Sequence, residues 1–385
     1  MSSPSKIPLT EPISILSLHQ DLLLNCLARV SRLDYPTLSL VCKHFRSTIA
    51  SSEIYKTRQL LNRTEKCLYF CFQFPSEPNP LWFTLCRNPN RTVANKSSGY
   101  VMVQIQSPNK HLHPMKWSDL VAVGSNIYKF GGSDDPLNNE RKRNVPWRSS
   151  SSVSVLDCRS HTWHDAPSMG MMRDLSASSS LVDGKIYVAG GCDLNSSNRI
   201  EVFDPKTQTW GYVTSPRISV KETHNEFCVK RVLVETLGLE GKLYLFGNGE
   251  FVVYNPKEDS WSPIGMEEDS DISCAINNRH CVVDDVLFYW EKGVFKWYDS
   301  KVRSWKELLG VVGLPAFKWC EMVDLGGKMA VWWEDTSPNG EEGQIWCAEI
   351  ALERRHGDEI WGYVEWFDLM LTVEATCRYA LSVSV

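Results

Sequence analysis

The sequence lacks the features of membrane, secreted and nucleic-acid-binding proteins. No apolar run in its 385 residues approaches the roughly 20 residues that cross a bilayer. The polar segment from Met1 to Lys6 does not have the basic-then-apolar layout of a signal peptide. The formal net charge of −5 gives no electrostatic reason to bind a phosphate backbone. We therefore expect an intracellular protein, in the cytoplasm, the nucleus or both, without a membrane or nucleic-acid partner.

The cysteines do not show the spacing of a zinc site or of a disulfide framework. There are 13 of them, an odd number, and most fall inside strand or helix patterns, which indicates reduced, buried thiols. None of the close pairs of candidate ligands has the Cys-x-x-Cys spacing. These pairs are Cys67 with Cys71, His111 with His113, and Cys274 with Cys281. We therefore expect no metal and no cofactor.

What the sequence does contain is a repeat. Between Val121 and Trp366, five copies of one pattern occur: two apolar strands joined by a tight turn, a gap, then a third strand and a tryptophan. The clearest copy runs from Leu181 to Gly191 and resumes at Ile200. The copies occupy residues of about 121–163, 180–210, 237–261, 281–305 and 322–366. Repeats of this length build rings of small sheets, and such rings usually bind rather than catalyse.

Glycine, proline and tryptophan recur at fixed places in the repeat for physical reasons. Gly124, Gly184 and Gly241 suit two-residue hairpins in which φ is positive. Asp204-Pro205 and Asn255-Pro256 favour turns, and a tryptophan follows six residues after the Asp or Asn. The chain has 15 tryptophans. We predict that most of them are wedges between sheets, each burying roughly 150–250 Å².

The repeats resemble the kelch repeat, whose family fold is a β-propeller of four-stranded blades. The resemblance is weakest in the last two copies, where Trp290 and Trp333 replace the glycines. Three further strands precede the first copy, at 67–72, 81–85 and 100–105. Residues 376–385 would complete their blade and so remove the exposed sheet edges. We therefore predict a mainly β protein with a kelch-type propeller over residues 61–385. Six blades are favoured, and five or seven remain open.

Residues 12–60 follow a helical period instead, behind a segment, residues 1–11, that we expect to be disordered. Ser17 and Gln20 resemble a capping box at the start of the first of three helices. The second follows Asp34, and the third begins near Ser52. The apolar stripe predicted for the second helix consists of Leu38, Val41, Cys42, Phe45 and Ile49. This core is too small to be robust alone, so the segment either docks on the propeller or shares its apolar face with a partner.

These helices resemble an F-box, a motif that binds the adaptor Skp1 and so attaches a substrate receptor to a cullin-RING ubiquitin ligase. The resemblance rests on residues 18–30, 38–46 and 52–58. Two residues depart from the family pattern, because His19 stands where proline is usual and Phe45 where tryptophan is frequent. The resemblance implies an adaptor-binding face made of Leu18, Leu22, Leu27, Leu38, Val41, Cys42 and Phe45.

An F-box followed by kelch repeats is an architecture best known from plants, and the two resemblances cover nearly the whole chain. The leading hypothesis is a non-catalytic substrate receptor of an SCF (Skp1-cullin-F-box) ligase, whose propeller holds a target for catalytic groups in other subunits. The alternative is a propeller that acts alone as a protein-interaction scaffold or small-ligand sensor. Enzymatic propellers fit less well. The tyrosine and histidine set of galactose oxidase cannot be assigned, and Asp204 to Trp210 lacks the central glycine of a sialidase Asp-box.

We expect the target to bind on one rim of the ring. Turns such as Asp183-Gly184 keep one rim tight, so the long gaps fall on the opposite, variable rim, where loops usually carry specificity. These gaps are residues 133–152, 164–178, 192–199, 211–231, 262–280 and 306–320. The candidate anchors for an acidic or phosphorylated target segment are Arg141, Arg143, Arg148, Arg173, Arg199 and Arg217.

Overall fold

The chain forms two compact units, Met1–Thr64 and Glu65–Val385. The first is helical, and the second consists of β-strands and their connections. The computed structural model describes residue 15 and residues 18–77, 80–87, 99–105, 120–131, 149–174, 177–192, 199–214, 235–247, 250–263, 280–336, 343–355, 359–373 and 376–385. Within these ranges no helix is long and apolar enough to cross a membrane.

The described residues of the helical unit form four short α-helices rather than the three expected. They are α1 (Gln20–Ala28), α2 (Tyr35–Ser39), α3 (Lys43–Ile49) and α4 (Ser52–Leu60), with a 3₁₀ turn at Arg32–Asp34 before α2. The single apolar stripe predicted from Leu38 to Ile49 is wrong, because Cys42 is extended (φ −160°, ψ 165°) between α2 and α3. The Sγ atom of Cys42 accepts a hydrogen bond from the amide of Phe45 (3.4 Å) and thereby caps α3.

The start of α1 also differs from the prediction. Its N-cap is His19, whose Nδ1 accepts a hydrogen bond from the amide of Asp21 (3.4 Å). The assignment of Ser17 as the cap is therefore wrong, and Ser17 itself lies outside the described residues. With φ −57° and ψ 146°, the backbone of His19 suits the proline that is usual at this position in F-boxes.

Arg58 of α4 is buried in the small core of the helical unit and forms hydrogen bonds to other parts of it. The buried side chains of this core include Leu23, Leu27, Ala28, Tyr35, Phe45, Ile54, Tyr55 and Arg58. Nη1 of Arg58 donates to the carbonyl oxygens of Ala28 (3.2 Å) and Val30 (2.6 Å) and to the hydroxyl of Tyr35 (3.2 Å). Because Ala28 ends α1, the bond from α4 to its carbonyl satisfies an acceptor that the helix itself leaves open.

The second unit is a β-propeller of six four-stranded antiparallel sheets, which confirms the favoured number of blades. Blade 1 consists of β1 (Lys66–Gln73), β2 (Leu81–Arg87), β3 (Tyr100–Gln104) and β24 (Thr376–Ser384). Blade 2 consists of β4 (Leu120–Val123), β5 (Asn126–Phe130), β6 (Val153–Asp157) and β7 (Thr162–Ala166). Blade 3 consists of β8 (Ala177–Val182), β9 (Lys185–Gly190), β10 (Arg199–Asp204) and β11 (Thr209–Thr214).

The other three blades consist of four consecutive strands, as blades 2 and 3 do. Blade 4 consists of β12 (Glu235–Leu239), β13 (Lys242–Gly247), β14 (Glu250–Asn255) and β15 (Ser260–Pro263). Blade 5 consists of β16 (His280–Val283), β17 (Val286–Glu291), β18 (Val294–Asp299) and β19 (Ser304–Glu307). Blade 6 consists of β20 (Glu321–Asp324), β21 (Lys328–Thr336), β22 (Gly343–Arg355) and β23 (Glu359–Val373).

The ring closes within blade 1, where the last strand lies beside the first. β24 pairs antiparallel with the whole of β1, and it also contacts β4 and β20, the innermost strands of the neighbouring blades. Beyond this ladder, Glu65 and Val385 exchange main-chain hydrogen bonds of 2.9 Å and 2.8 Å. β24 is thus the innermost strand of blade 1, the position that the sequence predicts for residues 376–385.

The turns between the third and fourth strands of blades 2 to 5 share one construction. The third strand ends in an Asp or Asn whose Oδ1 accepts a hydrogen bond of 2.9 or 3.1 Å from the amide two residues later. These residues are Asp157, Asp204, Asn255 and Asp299. The fourth residue after each has a positive φ, at His161, Gln208, Asp259 and Arg303. The Asp-to-Trp interval in the sequence therefore encodes a turn capped by its first side chain.

In blades 2 to 5 the turns between the first and second strands are two-residue hairpins. Gly124, Gly184 and Gly241 have φ of 58°, 78° and 69°, which confirms the positive φ predicted for them. In blade 5 the same turn is made without glycine, by Asp284 (φ 47°) and Asp285 (φ 59°). In blades 2 to 5 these tight turns and the Asp-capped turns lie at the same end of the blade, where the sequence predicts the tight rim.

Aromatic side chains fill the space between blades. Trp82 of blade 1 is 1% exposed and meets Trp163 of blade 2 edge to face, with ring centroids 6.1 Å apart. Trp332 of blade 6, also 1% exposed, meets Phe70 of blade 1 at 6.4 Å. These tryptophans therefore act as the wedges that the sequence predicts, and each contributes apolar burial to two blades at once.

Candidate functional sites: the adaptor face and the variable rim

Several large apolar side chains on the helical unit are exposed to water. Leu22 on α1 is 57% exposed. Leu40 and Val41, between α2 and α3, are 70% and 63% exposed, and Leu60 at the end of α4 is 84% exposed. Exposed leucine and valine side chains on so small a unit make it a candidate protein-binding surface.

The seven residues predicted for the adaptor face differ in exposure. Leu22 and Val41 are exposed. Leu18, Leu38 and Cys42 are half-buried. Leu27 and Phe45 are buried in the core of the helical unit, so they hold the helices together rather than offer contact area. The sequence interpretation missed Leu40, because a continuous second helix would place it off the apolar stripe.

On the propeller, two of the long gaps assigned to the variable rim lie largely within the described residues. Residues 167–174 belong to the connection from blade 2 to blade 3, and residues 308–320 join blade 5 to blade 6. They present Met172 and Val312 to solvent, 62% and 77% exposed. Beside the first connection Tyr212 is 57% exposed. The described part of this rim therefore offers aromatic, thioether and aliphatic contact area.

Arg173 is not available as a target anchor. Its side chain is fully buried, and its Nε lies 2.9 Å from Oε2 of Glu201 on β10. Its main chain exchanges two hydrogen bonds of 2.9 Å with Ser150. The assignment of Arg173 to the binding rim is therefore wrong. The physical reason is that the buried carboxylate of Glu201 requires a counter-charge, which Arg173 supplies from the connection between blades 2 and 3.

The other predicted anchors stay predictions. Arg199 begins β10, and the description does not extend to its side chain. Four more lie outside the described residues: Arg141, Arg143, Arg148 and Arg217.

The buried thiols are poorly suited to nucleophilic chemistry. Nine of the eleven described cysteines are buried. Burial raises the pKa of the Cys347 thiol to about 12 and raises the pKa values of Cys281 and Cys377 as well. These thiols are therefore protonated at neutral pH, and it is the thiolate that attacks or binds metal. Across the part of the chain that the structure describes, no group of three His, Cys, Asp or Glu residues could hold a metal ion.

Family models match both units. One described as "F-box domain" matches residues 15–57, and one described as "FKB95, Kelch-repeats domain" matches residues 82–371. The putative F-box/kelch-repeat protein At1g61540 of Arabidopsis thaliana is 54% identical, over 99% of this chain and 96% of its own length. This chain belongs to the F-box/kelch-repeat family. The F-box/kelch-repeat protein At4g39590 of the same plant is also 54% identical, over 97% of this chain and 92% of its own length.

Each of the two matches lies within one of the two structural units of this F-box/kelch-repeat chain. The F-box match ends within α4, and the kelch match begins within β2 and ends within β23. Neither matching model describes an enzyme. A solved chain titled "Structure of YjhT" aligns with 69% of this chain and 98% of its own length, at 13% identity and a TM-score of 0.37, which is too low to add to the fold assignment.

Proposed function

We propose that this chain is the non-catalytic substrate-recognition subunit of an SCF ubiquitin ligase. The observation that supports this most is the union of an F-box with a six-bladed kelch propeller in one chain. In this role the helical unit binds a Skp1-type adaptor, and through it a cullin-RING ligase, while the propeller binds the target protein. Such a subunit needs no nucleophile of its own, because other subunits carry ubiquitin.

The exposed apolar side chains of the helical unit carry the adaptor contact in this proposal. Leu22, Leu40 and Val41 are more than half exposed, so adaptor binding can bury a large part of their apolar surface. Burying one such side chain contributes about 1.5–3 kcal/mol, and 1.4 kcal/mol corresponds to about a tenfold change in affinity. Leu27 and Phe45 support the same face from beneath, because they are buried in the core under it.

Surface substitutions test the adaptor contact without unfolding the helices. We expect Leu22→Glu and Val41→Glu in the full chain each to weaken capture of a Skp1-type adaptor at least about tenfold, since each places a carboxylate where an apolar contact is needed. The matched control is Leu60→Glu, the same change at an exposed position outside the predicted face. Adaptor capture that survives both substitutions, with the helical circular dichroism unchanged, would refute this assignment.

Core substitutions give a weaker test, because they act through folding. Phe45→Ala removes a buried aromatic side chain, which costs about 3–5 kcal/mol. Loss of adaptor binding in that variant would not distinguish a contact from a collapsed unit. A chain lacking residues 1–60 is the coarser control. Equal adaptor recovery with and without those residues would favour the alternative of a propeller that acts alone.

The target-binding part of the proposal is placed on the variable rim. The candidate anchors that remain after Arg173 is excluded are Arg141, Arg143, Arg148, Arg199 and Arg217. Replacing them by alanine in groups, and measuring recovery of ubiquitinated proteins with the full complex, tests their role. Unchanged recovery would remove them from the proposal. We propose an intracellular location, in the cytoplasm, the nucleus or both, which imaging of a fluorescent fusion would check.

A further inference from the structure

The outermost strand of blade 6 is much longer than its counterparts. β23 has 15 residues, whereas the outermost strands of the other five blades have between 4 and 6. It pairs with β22 from Val373 opposite Gly343 to Glu359 opposite Arg355. β21 covers the other side of β22 only as far as Ala351, so the β22–β23 hairpin extends beyond the rest of the sheet. An outermost strand of this length presents a long open edge.

One end of this edge already accepts another segment of main chain. The amide of Leu309 donates to the carbonyl of Ile360 (3.2 Å), and the amide of Gly362 donates to the carbonyl of Leu309 (2.7 Å). The pairing is parallel and lies between Leu309 and Trp361. Gly310 permits the close approach, since a Cβ at that position would lie 2.8 Å from the Trp361 ring. The edge of β23 therefore already pairs with main chain from outside the sheet, through an isolated bridge to Leu309.

The next part of the edge is open among the described residues. The main-chain groups of Ile360 and Gly362 that bond Leu309 point away from β22. Because this direction alternates from residue to residue along a strand, the main-chain groups of Val364 point away from β22 as well. Ile350 and Glu349 of β22 pair with Val364 and Trp366 of β23, so a β-bulge inserts one extra residue into β23 at this point. The next residue after Val364 whose main-chain groups point away from β22 is therefore Phe367. In the described ranges no main-chain partner bonds these two residues from outside. The Leu369 amide instead donates to the side chain of Asp368 (2.8 Å), which ends the open stretch.

Aromatic side chains flank this stretch on both faces. Tyr363 is 38% exposed on one face, and Phe367 is 39% exposed on the other. The Tyr363 ring already has a cation beside it, because the guanidinium of Arg355 lies 5.5 Å from its centroid and 4.4 Å from that of the neighbouring Trp361. Cations over tyrosine and tryptophan rings are attracted by the ring quadrupole.

The charges of the hairpin favour a basic occupant. The acidic residues of β22 and β23 are Glu349, Glu353, Glu359, Glu365 and Asp368, against two basic residues, Arg354 and Arg355. Nζ of the neighbouring Lys328 lies 2.6 Å from carboxylate oxygens of both Glu349 and Glu365. One positive charge therefore faces two negative charges at this place. The described part of this surface therefore stays negative.

We propose that the β23 edge from Tyr363 to Asp368 binds an extended, lysine- or arginine-rich segment of a partner protein by strand addition. Main-chain hydrogen bonds to Val364 and Phe367 give affinity, and the alternate side chains select for positive charge beside the aromatic rings. This inference does not depend on the proposed ligase function, because it concerns a surface of blade 6 and not the helical unit or the variable-rim arginines.

Two synthetic probes test the proposal on the full-length chain. One is an eight-residue peptide of alternating lysine and threonine, and the other replaces each lysine by glutamate. We expect the lysine peptide to bind at least about tenfold more tightly in a fluorescence anisotropy titration, and N-methylation of alternate amides to abolish its binding. Equal affinity of the two peptides, or full binding by the N-methylated peptide, would overturn strand addition.

A pair of variants locates the binding on the edge. Phe367→Pro removes the outward amide, and Phe367→Ala removes the same ring while keeping the amide. We expect the proline variant to lose about tenfold more affinity for the lysine peptide than the alanine variant. Equal affinities for the two variants would contradict the proposal. If Phe367→Pro fails to fold, the N-methylated peptide on the native chain still decides it. Leu22→Glu, which alters the adaptor face, should leave peptide binding unchanged.

Discussion

Arg173 and Glu201 form an ion pair that is shielded from water on both sides. The distance from Nε to Oε2 is 2.9 Å, and both side chains are 0% exposed. The other carboxylate oxygen of Glu201 accepts hydrogen bonds from the amides of Gly170 (2.6 Å) and Met171 (3.2 Å), and Nη1 of Arg173 donates to the carbonyl of Gly190. The pair thus fixes the connection between blades 2 and 3 onto blade 3 through charge and hydrogen bonds together.

Breaking this pair should be costly. We expect Glu201→Gln to lower the free energy of unfolding by about 3–5 kcal/mol, because it leaves the Arg173 guanidinium as an uncompensated buried charge. The matched control is Glu353→Gln, which breaks the exposed pair with Arg355 and should cost about 0–1 kcal/mol. Urea denaturation of both variants measures the difference. Similar costs for the two substitutions would contradict the view that burial makes the Glu201 pair strong.

Two glycines with similar backbone conformation should respond differently to alanine. Gly184 (φ +78°) has no atom within 4 Å of the position that a Cβ would take, so Gly184→Ala meets only backbone strain of about 1–2 kcal/mol. Gly191 (φ +65°) would place a Cβ 2.7 Å from the amide nitrogen of Ala177, so overpacking adds about 1–3 kcal/mol. Chemical denaturation of the two variants compares them. A Gly184→Ala variant that is as unstable as Gly191→Ala would show that crowding against Ala177 of β8 is not what selects glycine at position 191.

The propeller could be predicted from the sequence because each element of its repeat has a local cause. The interval from Asp204 to Trp210 encodes a side-chain-capped turn, and the glycines encode hairpins, so strand order follows without knowledge of distant contacts. A regular repeat also implies a ring, which leaves little freedom in how the strands pair.

The candidate sites were less predictable, because exposure depends on tertiary packing. The helical period places Leu27 and Leu22 on one helix with no indication that the first is 3% exposed and the second 57% exposed. Likewise Arg173 stands in a polar segment beside a loop, and only the fold brings it to Glu201, 28 residues away in sequence. The length of β23 was missed for a third reason: its strand pattern runs through two β-bulges, which break the alternation.

Acid should weaken the tight turn of blade 5 through Asp299. This carboxylate is buried, lies 2.6 Å from Nζ of Lys306 and accepts a hydrogen bond from the amide of Lys301 (3.1 Å). The Lys306 ammonium, followed by that amide, holds the pKa of Asp299 below its usual value. A depressed folded-state pKa adds stability above the unfolded-state pKa of about 4, and this stability is lost as the pH falls through the folded-state value.

The variant Asp299→Asn tests this pH dependence. We expect it to be less stable than the parent chain at pH 7, with a difference that shrinks as the pH falls from about 4, where the unfolded carboxyl gains its proton, through the lower folded-state pKa of Asp299. Urea denaturation at a series of pH values measures the two curves. A difference that stays constant down to the lowest pH would mean that the charge of Asp299 does not stabilise the turn.

His19 provides a test of the departure from the usual F-box proline. Its φ of −57° is already that of proline, so His19→Pro restricts the unfolded chain without straining the folded one, which gains about 0.4–1 kcal/mol. The loss is the exposed hydrogen bond from the Asp21 amide to Nδ1, at 3.4 Å. His19→Ala loses that same bond without the restriction of φ and should cost about 0.5–1 kcal/mol. Helical circular dichroism during urea titration should therefore rank proline above histidine and histidine above alanine. A proline variant below the alanine variant would show that the cap, rather than the fixed φ, determines how firmly α1 begins.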